Sequence, residues 1–475
     1  MDSPGRRSRP VPGNDGHPGG GRVFREISPL DGRYRPRLEA LSDVFSEFAL
    51  MRERCRVELA YLTAFDATGL LPPLADDERA RIAAAGSSFS DADFDRIKEI
   101  ETEINHDVKA CEVFLRERLD LAEPNRIHFG LTSDDVNNLA YSLLVRRYRD
   151  EIQLPKLRDL IGALAGMIEA WKGVAFPART HGQAASPTTL GKELAVFLSR
   201  LLRQAKRLEA HRFRGKLNGA TGTYAALVAA YPDHDWPAFA DGFVEGLGLE
   251  PNPCTTQIED YDSLAEYFDI VSRIHAIVLD LDLDLWSYIS YGDLVQRTVS
   301  AEVGSSTMPH KVKPIRFENS EGNLTIANAL LRTLADKLTH SRMQRDLSDS
   351  TVKRSIGTAL AYGHLAIGQT LDGLARIDID EAALRAKVDA APEVLAEAYQ
   401  TVLRAEGVEN PYEVFRSATR GKAVTLERLH AWVDGLGVSD DVKARLKALR
   451  PSDYTGLASQ ICDRVLADVY AWFSA

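Results

Sequence analysis

Cysteine is scarce. The chain of 475 residues holds four, Cys55, Cys111, Cys254 and Cys462. They lie far apart and form no C-x-x-C, which argues against a disulfide framework and a zinc ribbon and fits a reduced cytoplasm. The 11 histidines form no H-E-x-x-H and no close cluster with cysteine, so no catalytic metal is expected. Also missing are G-x-x-x-x-G-K-[ST], G-x-S-x-G and G-x-G-x-x-G. Gly215, Gly219 and Gly222 have the wrong spacing for a dinucleotide loop, so redox-cofactor and P-loop chemistry are disfavoured. Positive charge is in deficit: 58 Lys and Arg against 69 Asp and Glu leave a net charge of −11. That balance argues against a nucleic-acid coat or a polybasic membrane binder. It leaves room for a local basic pocket around an anionic substrate. No long apolar run is present. The longest apolar stretch without Asp, Glu, Lys or Arg, residues 355–371, contains Gly357, Gly363, His364, Gly368 and Gln369. It predicts a buried helix, not a membrane span.

The first stretch of the chain is rich in Gly, Pro, Arg and Ser and has no apolar h-region, so it is no secretory signal. Residues 1–25 are expected to form a flexible tail. Asp2, Asp15 and the many glycines speak against a transit peptide. Beyond it, hydrophobic residues at 44% and charged residues at 27% are those of a globular protein with a large core. Runs of β-branched residues with period two are scarce, and helical periodicity dominates. It predicts helices over residues 45–65, 89–121, 134–171 with a kink near Pro155, 188–213, 257–296, 315–342 and 351–377, with Ser90 as an N-cap. Residues 216–224, rich in glycine, read as a loop. Ordinary helices average about 11–12 residues. Longer ones need partners along their whole length, which an oligomer supplies. After about residue 378 the segments shorten, with turn signals at 407–411, 435–437 and 450–452, as in a separate small helical domain. No internal repeat is visible.

The most unusual segment is Gly304-Ser305-Ser306-Thr307-Met308-Pro309-His310-Lys311-Val312-Lys313-Pro314. Two prolines and a glycine prevent regular structure there. The loop offers adjacent hydroxyls, free amides near the glycine, and ammonium groups just beyond. A serine here can reach a proton while Lys311 neutralises a nearby carboxylate. The string resembles the signature loop of the fumarase/aspartase superfamily, G-S-S-x-M-P-x-K-x-N. Asp31-Gly32-Arg33-Tyr34, Asn105-His106-Asp107-Val108-Lys109, Thr132-Ser133-Asp134-Asp135, Arg179-Thr180-His181-Gly182-Gln183, Thr255-Thr256-Gln257-Ile258 and the segment 344–354 resemble the adenylosuccinate lyase family, in its bacterial long-chain branch. The resemblance runs from about residue 26 to the C-terminus.

The resemblance implies an all-α fold of three domains, here 26–121, 122–377 and 378–475, with a central long-helix bundle. It implies β-elimination of fumarate from adenylosuccinate and from SAICAR, with no redox cofactor or metal. His181 would be the general acid, which suits imidazole with its unperturbed pKa near ~6.5. Glu318 would orient it, and Ser305 would be the base, with Ser306 beside it. Asn105, His106 and Asp107 would contact substrate from the predicted helix 89–121. Thr132 and Ser133 would present the donors of a helix N-terminus to a carboxylate. Gln257 and Asn319 would hydrogen-bond substrate. Arg33, Tyr34, Arg345, Ser350 and Arg354 would converge on the nucleotide phosphate, for which the planar guanidinium fork is suited, and Thr351 would contact substrate. Lys311 and Lys313 would meet substrate from the loop. Position 313 departs from the pattern, with lysine in place of asparagine, and Arg316 is more basic than the branch leads one to expect. The resemblance further implies a homotetramer whose sites draw on three subunits, small succinylated nucleotides as ligands, no nucleic-acid or membrane partner, and a cytoplasmic location. Other enzymes of the superfamily, which act on substrates lacking a phosphate, are disfavoured by the phosphate set. A non-catalytic scaffold is disfavoured by the presence of His181, Ser305 and Glu318.

Overall fold

The computed structural model describes residues 26–297, 312–413 and 424–474. At Ser46, Ser90, His106, Thr189, Asp235, Asp380, Thr425 and Ser439 a helix starts where a side chain satisfies a free amide of its first turn. The helix expected over 45–65 is helix α2 (Glu47–Asp66), and the short helix α1 (Glu39–Phe45) precedes it. Ser46 separates them with extended backbone, and its Oγ accepts from the Ala49 amide at 3.2 Å. After α3 (Asp76–Ser87), the helix expected over 89–121 is divided into α4 (Asp91–Ile104) and α5 (Asp107–Leu119). Ser90 caps α4 as expected. The break is at Asn105, whose φ of 53° ends α4, and His106 restarts the helix by accepting from the Lys109 amide through Nδ1 at 3.2 Å.

Helix α6 (Ser133–Tyr148) runs through a wider π-turn (Arg149–Gln153) into α7 (Leu154–Trp171). Pro155 has no amide hydrogen and its ring would strike the carbonyl four residues back. The wider turn just before it absorbs that conflict. Then come α8 (Leu190–Ala210), α9 (Ala225–Ala230), α10 (Trp236–Gly246), α11 (Asp262–Ser290), α12 (Ile315–Leu338), α13 (Ser348–Lys353) and α14 (Ile356–Leu374). The helices expected over 257–296 and 351–377 thus prove shorter, the first starting at Asp262 and the second broken at Arg354 and Ser355. The last helices are α15 (Glu381–Asp389), α16 (Ala396–Ala405), α17 (Leu426–Asp434), α18 (Asp440–Ala448) and α19 (Ala458–Ser474). Strands among the described residues are two-residue pairs only, so the all-α reading holds.

Helices α11, α12 and α14 pack most closely, with α7 and α8 beside them. Gly363 lets α14 approach α11, because a Cβ there would lie 2.3 Å from Cε1 of His275. The stretch 355–371 is a buried core helix, and among the described residues no helix is long and apolar enough to cross a membrane. A smaller core forms around Met51, Cys55, Ile97, Ile100 and Phe114 of α2, α4 and α5. Another joins Leu395, Tyr399, Leu403, Leu429, Val433 and Leu446. The last helix, α19, returns to the bundle: Cys462, Leu466, Val469 and Trp472 enter the central core against α7 and α8.

Candidate active site

The N-terminus of α6 is held from below. Asp134 and Asp135 in its first turn are buried, and Asp135 Oδ2 accepts from the Thr132 amide at 2.8 Å. The other oxygen of Asp135 meets the ammonium of Lys216 at 2.9 Å and accepts from the Asn218 amide at 3.1 Å and the Gly219 amide at 3.3 Å. The glycine-rich loop predicted over 216–224 is therefore fixed under the helix start. Thr132 does not cap α6 with its hydroxyl. Its Oγ1 accepts instead from Gln257 Nε2 at 3.4 Å, and Gln257 Oε1 accepts from Arg345 at 3.3 Å. Three segments singled out in the sequence meet in this chain of contacts.

A cavity of about 590 Å³ opens beside it, lined by Asn105, His106, Asp107, Ser133, Arg345, Ser350, Thr351 and Arg354, all expected to touch substrate. His106 stands there as the N-cap of α5, not within a helix as expected, because the Asn105 break turns it outward. Arg54, Asn137, Tyr141 and Lys353 also line the cavity and were not foreseen. Arg54, buried on α2, donates through Nε to Asn137 Oδ1 and through Nη2 to Asp107 Oδ2, both at 2.8 Å. Burial alone would raise the Asp107 carboxyl, but the Arg54 guanidinium beside it holds it below the usual carboxylate range. A signal for Arg54 was present: it sits among Met51, Cys55 and Glu58 at spacings of three and four, on the buried face of its helix.

The other expected residues lie elsewhere in the chain. Arg33, Tyr34 and Asn319 line a second cavity of about 440 Å³ together with Arg316 and Gln369. Asn319 donates to the Tyr34 hydroxyl at 3.3 Å, and Arg316 donates to Gln369 Oε1 at 3.0 Å. Within one chain, then, the phosphate set does not converge: Arg33 and Tyr34 line one cavity, and Arg345, Ser350 and Arg354 the other. His181 occupies the tip of a hairpin joining Arg179–Thr180 to Gln183–Ala184. With φ of 52° at His181 and 73° at Gly182, both turn residues are left-handed, as a two-residue hairpin of this twist requires. His181 is exposed, and so is Glu318 on α12, which accepts from Trp286 Nε1 at 3.1 Å. Among the described residues no hydrogen bond or ion pair joins His181 to Glu318. Lys313 is exposed. Ser305, Ser306 and Lys311 lie outside the described residues.

Two family models match the chain, one described as "Lyase" over residues 32–328 and one as "Adenylosuccinate lyase C-terminal" over residues 341–455. The adenylosuccinate lyase of Escherichia coli (strain K12) is 44% identical over 447 residues, covering 92% of this chain and 98% of the relative. The chain belongs to the adenylosuccinate lyase family. The adenylosuccinate lyase of Haemophilus influenzae is likewise 44% identical, over 92% of this chain and 98% of its own length. Among solved structures, a fumarate lyase from Mesorhizobium sp. BNC1 superposes with a TM-score of 0.74 at 20% identity, covering 90% of this chain and 97% of its own. A 3-carboxy-cis,cis-muconate lactonizing enzyme from Pseudomonas putida superposes with a TM-score of 0.73 at 22% identity, covering 92% and 98%. These two share the fold, the all-α architecture of the fumarase/aspartase superfamily. The family assignment makes this chain a lyase and bears out the resemblance read in its motifs.

Proposed function

We propose that the chain removes fumarate from adenylosuccinate, leaving AMP, and from SAICAR, leaving AICAR, in sites that the subunits of a homotetramer build together. A base takes a proton from the carbon next to a carboxylate. The electron pair left behind forms the double bond of fumarate as the carbon–nitrogen bond breaks, and an acid protonates the departing nitrogen. Ser305 is the base and His181 the acid, with Glu318 as its orienting partner. A serine hydroxyl can serve only as an alkoxide in a dry site stabilised by amides and cations. Negative charge builds on the succinyl carboxylate, where fixed donors aimed at it stabilise the transition state. Ser133 at the start of α6, Gln257, Lys311 and Lys313 take that role. Arg33 and Tyr34 of one subunit complete the phosphate set of Arg345, Ser350, Thr351 and Arg354 in another. Asn105, His106, Asp107 and Asn319 position the rest of the nucleotide.

The observation that carries this reading is the separation of the family's site residues within one chain, over two cavities, an exposed hairpin and an exposed helix face. The central helices also leave large apolar side chains uncovered: Val196 on α8, Leu283 and Trp286 on α11, and Ile326 on α12 are each more than 40% exposed. Apolar residues at such density on long parallel faces mark an association surface. The chain divides into units of 26–121, 122–377 and 378–475, α19 of the third strapping it to the second. Four free cysteines accord with a cytoplasmic enzyme. The test is complementation. His181→Ala and Ser305→Ala proteins, each inactive on adenylosuccinate, are mixed and allowed to exchange subunits. Activity should return, because some sites then hold both intact residues. Demonstrated exchange with no recovery would overturn the shared site. Activity on argininosuccinate, aspartate or fumarate in place of adenylosuccinate would overturn the substrate.

A further inference from the structure

Helix α6 opens with two adjacent buried carboxylates, and each faces a lysine from a distant segment. Asp135 has Lys216, as described. Asp134 has Lys353, the last residue of α13, whose ammonium lies 3.7 Å from Asp134 Oδ1, 2.8 Å from Asp349 Oδ2 and 2.6 Å from the Tyr261 hydroxyl. That hydroxyl reaches Asp134 Oδ1 at 3.4 Å. The ammonium also sits 4.6 Å from the centre of the Tyr261 ring and 5.3 Å from that of Tyr141, within cation–π range. Lys353 is 1% exposed on its side chain, Asp134 0% and Asp349 3%. Burial pushes the Tyr261 hydroxyl well above its usual range, so it stays protonated and can donate.

We propose that Lys353 is a positioning residue for nucleotide-phosphate recognition, clamping α13 to the start of α6. The proposal rests on the phosphate reading above. Helix α13 is six residues long, too short to hold its shape without tertiary contacts. It carries Ser350 and Thr351, and Arg354 follows it directly; all three line the larger cavity. Their placement relative to Ser133 therefore depends on what ties α13 to α6, and the buried ammonium does so by bridging Asp349 of α13 to Asp134 of α6. Lys353 borders that cavity, but its ammonium is engaged by Asp349 and Tyr261. A buried charge shared in this way is costly to break from one side, because two carboxylates would be left in the interior unpaired. Neutralising Lys353 together with Asp349 leaves only Asp134, which keeps the Tyr261 hydroxyl as a donor, and is tolerated better.

The double variant Lys353→Met with Asp349→Asn therefore separates positioning from folding. It should keep the parent's far-UV circular dichroism and oligomeric mass. Its KM for adenylosuccinate should rise about tenfold or more while kcat changes little, since loosened charged contacts are worth about that in affinity. Toward succinyladenosine, which lacks the phosphate, kcat/KM should be unchanged. Lys353→Arg keeps the charge and should restore most of the affinity for adenylosuccinate. If the double variant does not fold, Asp349→Asn alone carries the same comparison and should show a smaller loss of the same selectivity. A folded variant with unaltered KM for adenylosuccinate, or with equal losses on both substrates, would overturn the proposal. Arg354→Ala is the companion measurement. A phosphate-selective loss in Arg354→Ala with none in the Lys353 variants overturns the positioning role alone, whereas equal losses in Arg354→Ala overturn the phosphate reading beneath it.

Discussion

Replacing Asp282 by asparagine should change how stability depends on pH, and the direction follows from where the carboxyl sits. Asp282 lies on α11, buried against α12 and α14, and Thr370 donates to its two oxygens at 2.9 and 3.1 Å. Ser320 is hydrogen-bonded to the same threonine at 2.9 Å. Burial pushes the carboxyl from 3.8 up to about 8, and the nearby charge of Glu321 acts in the same direction. In the unfolded chain it titrates near ~3.9. The folded state therefore binds a proton that the unfolded chain gives up across the interval between those values. Its contribution to stability is full below about pH 4 and is lost as pH rises through about 8. One pKa unit corresponds to about 1.4 kcal/mol, so moving from about pH 6 to about pH 8 should cost the parent on the order of 2 kcal/mol at this position. Asparagine has the same size, keeps an acceptor for Thr370 and does not titrate. Urea unfolding of parent and variant, at one fixed subunit concentration because association adds a mass-action term, gives the difference in stability at each pH. That difference should move toward the variant by about 2 kcal/mol over the two units. Parallel curves, with the difference constant within about 0.5 kcal/mol, would refute the claim that this carboxyl is buried neutral.

Three further outcomes are expected. Gly222→Ala puts a Cβ 2.1 Å from the Thr255 carbonyl oxygen at a φ of +73°, so it should cost about 2–4 kcal/mol from strain and overlap combined, read as a lowered Tm; an unaltered Tm would show that the loop yields freely. Leu283→Asp places a charge on the uncovered face of α11, and light scattering should find smaller species with activity lost in proportion, whereas an intact, active tetramer would remove that face from the interface. Arg345→Ala should raise KM for adenylosuccinate by a factor worth about 2–5 kcal/mol if its partner is left buried, with little further loss on succinyladenosine; equal losses on both would mean that Arg345 does not read phosphate.

The all-α architecture was legible because the 3.6-residue period is strong and local, and Ser90 announced its helix by side chain alone. The breaks at Ser46, Asn105 and Arg354 were not, since apolar periodicity continues across them and only the backbone geometry ends the helix. Nor was the His181 hairpin, whose strands are two residues each and carry no alternation to read. Of the candidate site, the motif residues were identifiable, and eight of them do line one cavity. Their division between cavities was not, because a motif names residues without saying which surface of the fold they will face. Lys353 was missed for a different reason. A lysine at a helix end looks solvated, and only the fold shows two carboxylates buried on either side of it.

The return of α19 to the bundle constrains how the protein can be made. Lys172, at the end of α7, forms an ion pair with Asp463 of α19 across 291 residues of chain, and Trp472 donates to Glu209 at the end of α8. At about 5–20 residues per second, a ribosome needs roughly 15–60 s to synthesise the stretch that separates those partners. For that interval the nascent bundle presents the bare groove that Cys462, Leu466, Val469 and Trp472 later fill. Folding cannot finish domain by domain behind the ribosome, because α19 emerges late and closes a surface laid down among the earlier helices. A C-terminal truncation or an early stop in this region would therefore release chains whose central core is open, and these are the forms that chaperones and proteases should capture first.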